Sequence, residues 1–414
     1  MKDTSLTSDP ATGHPMTLTR EPQLGSALTL TTLSQIAATS SVLALTTIPT
    51  MVAVALGIAP HLLGYQVSLI YASGVFFSML ASGLVKRWGP GQVGQLALIG
   101  AGFGFLAMAT GTLAGIALGS VMIGIGYALN NPSSSHVLSR LAPPKRRNLI
   151  FSIKQAGVPL GGMLAALALP PLSKVIGWQW ALLLFACFPL GLAAIYQGFR
   201  PIWDTEKNPK APVARGIWAG QKQVWNTPSL GVLAIIGFLY SGVQLSISAF
   251  VVAMLIEQFN WNPLTAALIA ALMQGFGAVG RVFWGLVADW LGSGFLVLAI
   301  IGTLTGLCSL SFGAFGFAPA LGIAATIVAG LAGSGWNGVM LAETAAASPG
   351  TGTLTGEVLT YTFVGVMVGP AMFSALYGLA GDFSTTFSLF SILGFAGAAL
   401  SFARFLIVKT RGKA

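Results

Sequence analysis

Apolar runs long enough to cross a lipid bilayer recur along the whole length of this chain. A helix of about 20 apolar residues spans the hydrocarbon core of a membrane. Twelve segments meet that requirement, at residues 28–54, 64–85, 93–112, 114–138, 149–171, 177–197, 228–255, 263–288, 294–316, 318–342, 355–379 and 384–407. Only 7% of the 414 residues are charged, whereas soluble domains carry about 25%. A soluble globular fold is therefore excluded, and we predict an all-α membrane protein with twelve transmembrane helices.

The predicted spans divide into two halves of six, because the longest polar stretch inside the chain separates the sixth span from the seventh. The predicted organisation is a cytoplasmic N-terminal tail at 1–26, a six-helix half at 27–199, a cytoplasmic central loop at 200–227, a second six-helix half at 228–408 and a cytoplasmic tail at 409–414. The first residues lack the apolar core of a cleaved signal peptide. We therefore expect them to remain as a tail.

The distribution of Lys and Arg predicts the orientation of the bundle. All but three of the 20 basic residues fall in tails and loops on one side of the predicted bundle, and the exceptions are Lys154, Lys174 and Arg281. Cytoplasmic loops carry such an excess, so we place both termini in the cytoplasm, with a bacterial inner membrane as the location. The net charge of +10 is then explained without nucleic acid. The expected partners of the monomer are the lipid bilayer and a small-molecule substrate.

A short motif occurs at corresponding places in the two halves. SGLVKRWG, at 82–89, follows the second span, and GLVADWLG, at 285–292, follows the eighth. Both resemble the loop signature of the major facilitator superfamily, G-x-L-x-D-R-x-G, which Arg87 matches in the first copy and Asp289 in the second. The resemblance implies a fold of two pseudo-symmetric six-helix halves that transports a solute by alternating access. It also implies gating roles for Arg87 and Asp289.

Two cations lie inside the predicted spans. Arg281 precedes Asp289 by eight residues, or about 12 Å of helix, and Lys154 lies about 10 Å beyond Arg147. An arginine in mid-membrane costs about 2.5–3.5 kcal/mol, so a counter-charge, a water-filled cavity or an anionic ligand must offset that cost. The bland alternatives are a structural pair for Arg281 and extension of Lys154 back to the membrane surface. The major facilitator resemblance implies that the fifth and eighth helices are neighbours, with both cations facing one cavity.

The surroundings of Arg281 also resemble helix eight of the oxalate/formate and monocarboxylate transporter families. There an arginine precedes a W/F-G-x-x-x-D ending, which here reads WGLVAD at 284–289. That resemblance implies that Arg281 binds a substrate carboxylate. Those families place a second basic group on helix one or eleven, whereas this chain has Lys154 in its fifth span. The two cations predict a secondary transporter for a small organic anion, coupled to protons or working by exchange.

Polar residues near the predicted cavity are further substrate-binding candidates: Gln35, Asn130, Gln155 and Tyr361. Each has an alternative role in a helix–helix hydrogen bond, worth about 0.6 kcal/mol. Glu357 is a candidate for proton coupling, with a stabilising carboxylate at a helix N-terminus as the alternative. Glu343 is assigned to a gate network. The sequence shows no metal-ligand cluster, nucleophile–base pair or phosphate-binding loop. We therefore predict that the protein has no catalytic residue, metal or cofactor and is not an enzyme.

The alternative function is a proton-coupled exporter of drugs or other small molecules with the same fold. The stretch AGVPLGG, at 156–162, loosely resembles the fifth-span signature of drug/proton antiporters. Such an exporter needs an acid inside the membrane that faces the cavity, and the sequence offers no convincing one. The organic anion transporter is therefore the preferred hypothesis.

Overall fold

The computed structural model describes residues 20–142, 147–213, 217–348 and 354–411, and these four segments contain helices and no strands. Residues 1–19 and 412–414, which belong to the two predicted tails, lie outside the described segments. Within these segments, fifteen α-helices run in chain order: α1 Arg20–Leu43, α2 Pro49–Leu56, α3 Leu63–Trp88, α4 Pro90–Met108, α5 Leu113–Leu141, α6 Arg147–Ile176, α7 Trp178–Trp203, α8 Ile217–Asn226, α9 Pro228–Ala253, α10 Pro263–Leu291, α11 Gly294–Ser311, α12 Pro319–Gly333, α13 Trp336–Ala347, α14 Thr355–Ala380 and α15 Phe383–Arg411.

Eleven helical stretches in the described part of the chain are long and apolar enough to cross a membrane, and they correspond to the second to twelfth predicted spans. The predicted first span, 28–54, is not among them. Its residues form the end of α1, a 3₁₀ turn at Leu45–Thr47 and the short helix α2. The cause lies in the sequence, because α1 is rich in Ser and Thr and Pro49 lacks the N–H that a continuing helix needs. α1 nevertheless packs inside the bundle, against α5 and α6.

The tenth predicted span, 318–342, is divided between α12 and α13. The chain turns at Ser334 and Gly335, and the carbonyl of Leu331 thereby loses the amide that would bond to it in a continuous helix. The indole Nε1 of Trp284, on α10, donates to this carbonyl oxygen at 2.9 Å. A helix can break inside a membrane when its freed backbone groups find partners within the protein, and Trp284 provides one.

The most extensive contacts between the two halves are those of α6 with α10 and of α3 with α14. At one end, Ser374 Oγ donates to the carbonyl oxygen of His61 at 2.7 Å. The ring of His61 lies 4.5 Å from that of Tyr377. The stacked rings of Phe250 and Phe373, 4.3 Å apart, fill the same end. We call it the His61 end, and this packing closes the molecule there.

The two loop motifs lie at the opposite end, which we call the motif end. Gly89 has a φ of 93° and Gly292 a φ of 63°, values at which a glycine carries no steric cost. The last glycine of each motif thus lets the chain leave one span and begin the next. Arg87 and Asp289, the charged residues of the two motifs, are exposed at this end. Their gating role stays a prediction.

A carboxylate binds the first turn of the third span in each half. Asp204 accepts hydrogen bonds from the backbone N–H groups of Gly91, at 2.6 Å, and Gln92, at 3.0 Å. Glu343 accepts one from Gly294 at 2.7 Å. Burial raises the pKa of the Asp204 carboxyl, and its two backbone donors oppose that rise. Because a helix N-terminus favours negative charge, both carboxylates fasten helix ends at the motif end.

We expect Glu343→Ala to lower the free energy of unfolding by about 1 kcal/mol, because it removes the acceptor for the first turn of α11. Glu343→Gln keeps an oxygen in the same place and should retain most of the stability. Thermal unfolding of the purified protein in detergent measures both. Equal losses in the two variants would show that the hydrogen bond to Gly294 contributes nothing.

Candidate functional site

Lys154, on α6, and Arg281, on α10, lie in adjacent helices of opposite halves. The side chain of Lys154 is 0% exposed, and its Nζ donates a hydrogen bond to Oδ1 of Asn131, on α5. The charge of Arg281 acts on Lys154, so the structure brings the two predicted cations together. The alternative role, extension of Lys154 to the membrane surface, is contradicted by the burial of its side chain and its bond to Asn131.

The guanidinium of Arg281 has no counter-charge among the described residues. Its Nε is buried without a hydrogen-bond partner. The ion pairs of the described segments are Arg140–Glu206 and Arg200–Asp204, and neither includes Arg281. In the same segments, no group of three or more His, Cys, Asp or Glu could hold a metal ion. The site therefore presents uncompensated positive charge.

Aromatic side chains from both halves line the neighbourhood of Arg281. Tyr127, on α5, lies near the guanidinium. The Tyr127 ring meets Tyr71, on α3, edge-on at 5.4 Å and Phe363, on α14, edge-on at 6.5 Å. Edge-to-face contacts of this kind are favourable. The site thus combines two cations with an aromatic wall that crosses from the N-terminal to the C-terminal half.

Gln35 and Asn130, two predicted substrate-binding residues, bond to each other. Asn130 Nδ2 donates to Gln35 Oε1 at 3.1 Å, and Asn130 Oδ1 accepts a hydrogen bond from Ser34. Both residues are buried. Their bonds join α1 to α5 at Asn130, which directly precedes Asn131, the partner of Lys154. Gln155, the residue after the buried lysine, is half-buried on α6.

Tyr361 and Glu357, the remaining candidates in the eleventh span, lie at the start of α14 against the short helix α8. The hydroxyl of Tyr361 accepts a hydrogen bond from Trp225 Nε1 at 2.6 Å. Gln221 Nε2 lies 3.4 Å from the carbonyl oxygen of Glu357, to which it donates. Both residues thus contact α8, and no hydrogen bond or ion pair of the described segments joins either of them to Lys154 or Arg281.

Asn131 and Phe363 are site residues that were not among the candidates predicted from the sequence. Asn131 forms a pair of adjacent amides with Asn130 in an apolar helix. Successive helix positions are turned by about 100°, so one amide of such a pair faces a different neighbour from the other. That signal was present for Asn131. Phe363 is one of 25 phenylalanines and carries no comparable signal.

The sequence matches the family model of the Major Facilitator Superfamily over residues 30–361, which is most of the chain. The chain belongs to this superfamily. As a major facilitator protein, it is a multi-pass integral membrane protein and a secondary transporter of a small-molecule substrate, and not an enzyme. The all-α fold and the family predicted from the loop motifs are thereby confirmed.

Two curated relatives of this major facilitator protein are monocarboxylate transporters, which confirms the predicted relation to that family. It is 27% identical to mouse monocarboxylate transporter 11 over 353 residues, covering 78% of this chain and 74% of the relative. It is 26% identical to human monocarboxylate transporter 11 over 340 residues, covering 78% and 70%.

A solved structure shows the same fold. The crystal structure of a POT family transporter in complex with 5-aminolevulinic acid superposes with a TM-score of 0.76. The match covers 96% of this chain and 98% of that one at 14% identity. At that identity the likeness concerns the fold alone.

Proposed function

We propose that this protein moves a small organic anion, with a carboxylate as the group bound, by alternating access around Arg281 and Lys154. The observation that carries the proposal is the proximity of two cations on adjacent helices of opposite halves, the buried Lys154 and the half-buried Arg281, with no described carboxylate paired to either. Each cation is costly to bury, and an anion bound between them offsets that cost. The similarity to two monocarboxylate transporters supports a carboxylate.

The two cations have different tasks in this proposal. Arg281 offers a planar pair of donors that matches both oxygens of a carboxylate. Lys154 offers a compact charge, which the hydrogen bond to Asn131 holds in one place. Because the cations belong to different halves, an anion that contacts both draws the halves together. Binding at the interface between repeats is common in transporters of this architecture.

The halves rock about their two contacts, and the site is reached from the motif end while the His61 end is closed. The positive-inside rule favours a cytoplasmic motif end and cytoplasmic termini, in a bacterial inner membrane. Residues proposed to control opening at that end are Arg87, Asp289, Glu343 and Glu357. Co-transport of a proton and exchange with a second anion both fit the proposal.

Thermal unfolding of the purified wild-type protein tests the substrate class. We expect carboxylates or sulfonates to raise the melting temperature, because a ligand at about 100 times its dissociation constant stabilises by about 2.7 kcal/mol. Sugars and cationic drugs serve as the comparison. A shift with cationic drugs alone would overturn the proposal and favour the proton-coupled exporter. An anion that gives a shift is then tested for uptake into proteoliposomes.

A further inference from the structure

The short helix α8 buries one face and exposes another. Val224 is 0% exposed, and Gln221 donates toward α14. Turned away from Val224 lie Trp218, which is 86% exposed, and Lys222, which is also exposed. Trp225, which is 53% exposed, lies beside them at the edge that meets α14. Their spacing of four and three residues places all three on one side of a helix. We call these three residues the Trp–Lys–Trp stripe.

The position of α8 decides what covers this stripe. The helix ends at Asn226, and α9, a membrane span, begins at Pro228. With one residue between them, α8 lies at the level where the span enters the bilayer. A second cation lies at this level, because Arg404 Nε donates to Ser229 Oγ at 3.1 Å.

We propose that the Trp–Lys–Trp stripe binds the headgroups of anionic phospholipids. Tryptophan is enriched at the membrane–water interface, where its ring can lie among headgroups and its N–H can bond. Anionic leaflets attract basic residues next to a span. Lys222 is placed to pair with a lipid phosphate between the two indoles. The stripe is separate from the proposed anion site, and this inference does not depend on the transported substrate.

Lipid on the stripe acts on α14 as well. Trp225 belongs to the stripe, and it donates to Tyr361 at 2.6 Å with its ring edge-on to that tyrosine at 5.4 Å. Phe363, two residues further along α14, forms part of the aromatic wall beside Arg281. Anionic lipid therefore holds the motif end of α14 in place and stabilises the conformation closed at the His61 end.

The test compares the full chain in nanodiscs of phosphatidylcholine with nanodiscs that also contain phosphatidylglycerol. We expect phosphatidylglycerol to raise the melting temperature of the wild type, and the rise to shrink by more than half in Trp218→Ala/Lys222→Gln. Matched controls are Lys207→Gln, an exposed lysine of the same loop outside α8, and Trp180→Ala, an exposed tryptophan in the first turn of α7. Both controls should keep the rise. Equal melting temperatures in phosphatidylcholine show that all variants fold.

A second measurement locates the indole directly. Brominated phosphatidylglycerol quenches tryptophan fluorescence at short range, and Trp218→Phe should remove a quenched component that Trp180→Phe leaves intact. An undiminished lipid effect in the double variant, or an equal loss in Lys207→Gln, would overturn the proposal. So would quenching that is as strong in Trp218→Phe as in the wild type. The Lys207 result would mean that diffuse positive charge, and not the stripe, attracts the lipid.

Discussion

Replacing Arg281 by Gln should make the substrate-free protein more stable and at the same time abolish its response to substrate. The guanidinium has a buried Nε without a partner and lies within reach of the charge of Lys154. An unsatisfied buried polar group costs about 1–3 kcal/mol, and the substitution removes that cost together with the repulsion. We expect the melting temperature of the empty protein to rise by a few degrees.

The same substitution should reduce anion uptake by about 100-fold or more. Truncating one partner of a buried charge pair costs about 2–5 kcal/mol, and about 1.4 kcal/mol corresponds to tenfold in affinity. The substrate-induced thermal shift should disappear with the uptake. A gain in stability together with a loss of function is the mark of a residue kept for its ligand, since replacing a structural arginine would lower the stability.

Arg140→Gln is the matched control for Arg281→Gln. Arg140 pairs with the exposed carboxylate of Glu206 at 3.2 Å, and exposed pairs contribute about 0–1 kcal/mol. This variant should keep both uptake and the substrate-induced shift. A destabilised Arg281→Gln protein that still responds to the anion would show that Arg281 has a structural role, and the proposed site would be wrong.

A side chain at Gly64 should prevent closure of the His61 end. A Cβ at this position would overlap Ser374 Oγ and the ring of Phe250, and would lie 2.8 Å from the carbonyl oxygen of Pro370. All three belong to the opposite half, so the clash acts between halves. Overpacking costs about 1–3 kcal/mol, which shifts a two-state equilibrium by roughly 5- to 150-fold toward the open form. Uptake by Gly64→Val should fall accordingly.

Labelling of a cysteine at position 374 reports the closure. Ser374 is 2% exposed, so Ser374→Cys should react slowly with a membrane-impermeant maleimide, and faster when Gly64→Val is also present. The native Cys187 is exposed, so both native cysteines are replaced by Ala beforehand. Gly74→Ala, on the same helix, is the control, because its Cβ would meet only Gly124 O at 3.5 Å. Slow labelling in both variants would refute closure at Gly64.

The helix bundle could be predicted because apolar runs mark its spans and the basic residues of its loops mark its orientation. A helix that crosses lipid must present some 20 apolar residues, and this signal located eleven of the spans. Lys154 and Arg281 stood out for the same reason, since a charge inside an apolar run is rare. That they meet was inferred from the neighbour relations of the fold, and α6 packed against α10 agrees with that inference.

The roles of single polar side chains were harder to predict, because rotation about a helix axis decides them. Gln35 and Asn130 have polar side chains of the kind that line transport cavities, yet they bond to each other. The partner of Tyr361 lies on α8, inside a stretch that the sequence analysis treated as a loop. The sequence signal for α8 was the spacing of apolar residues at Ile217, Val224 and Trp225, which is hard to recognise in a segment of only ten residues. The break in the first span had a signal in the sequence, which is the proline at position 49.

Under the proposed mechanism, the two cations also make transport sensitive to the membrane potential. An empty site carries the positive charge of Lys154 and Arg281, whereas a site holding an anion carries less. A membrane potential acts on a moving charge with about 2.3 kcal/mol per elementary charge for each 100 mV. Under the proposed mechanism, the loaded and empty forms therefore reorient with different electrical work. The potential then acts most strongly on the step in which the empty transporter changes from one open side to the other. Strict anion exchange does not include that step.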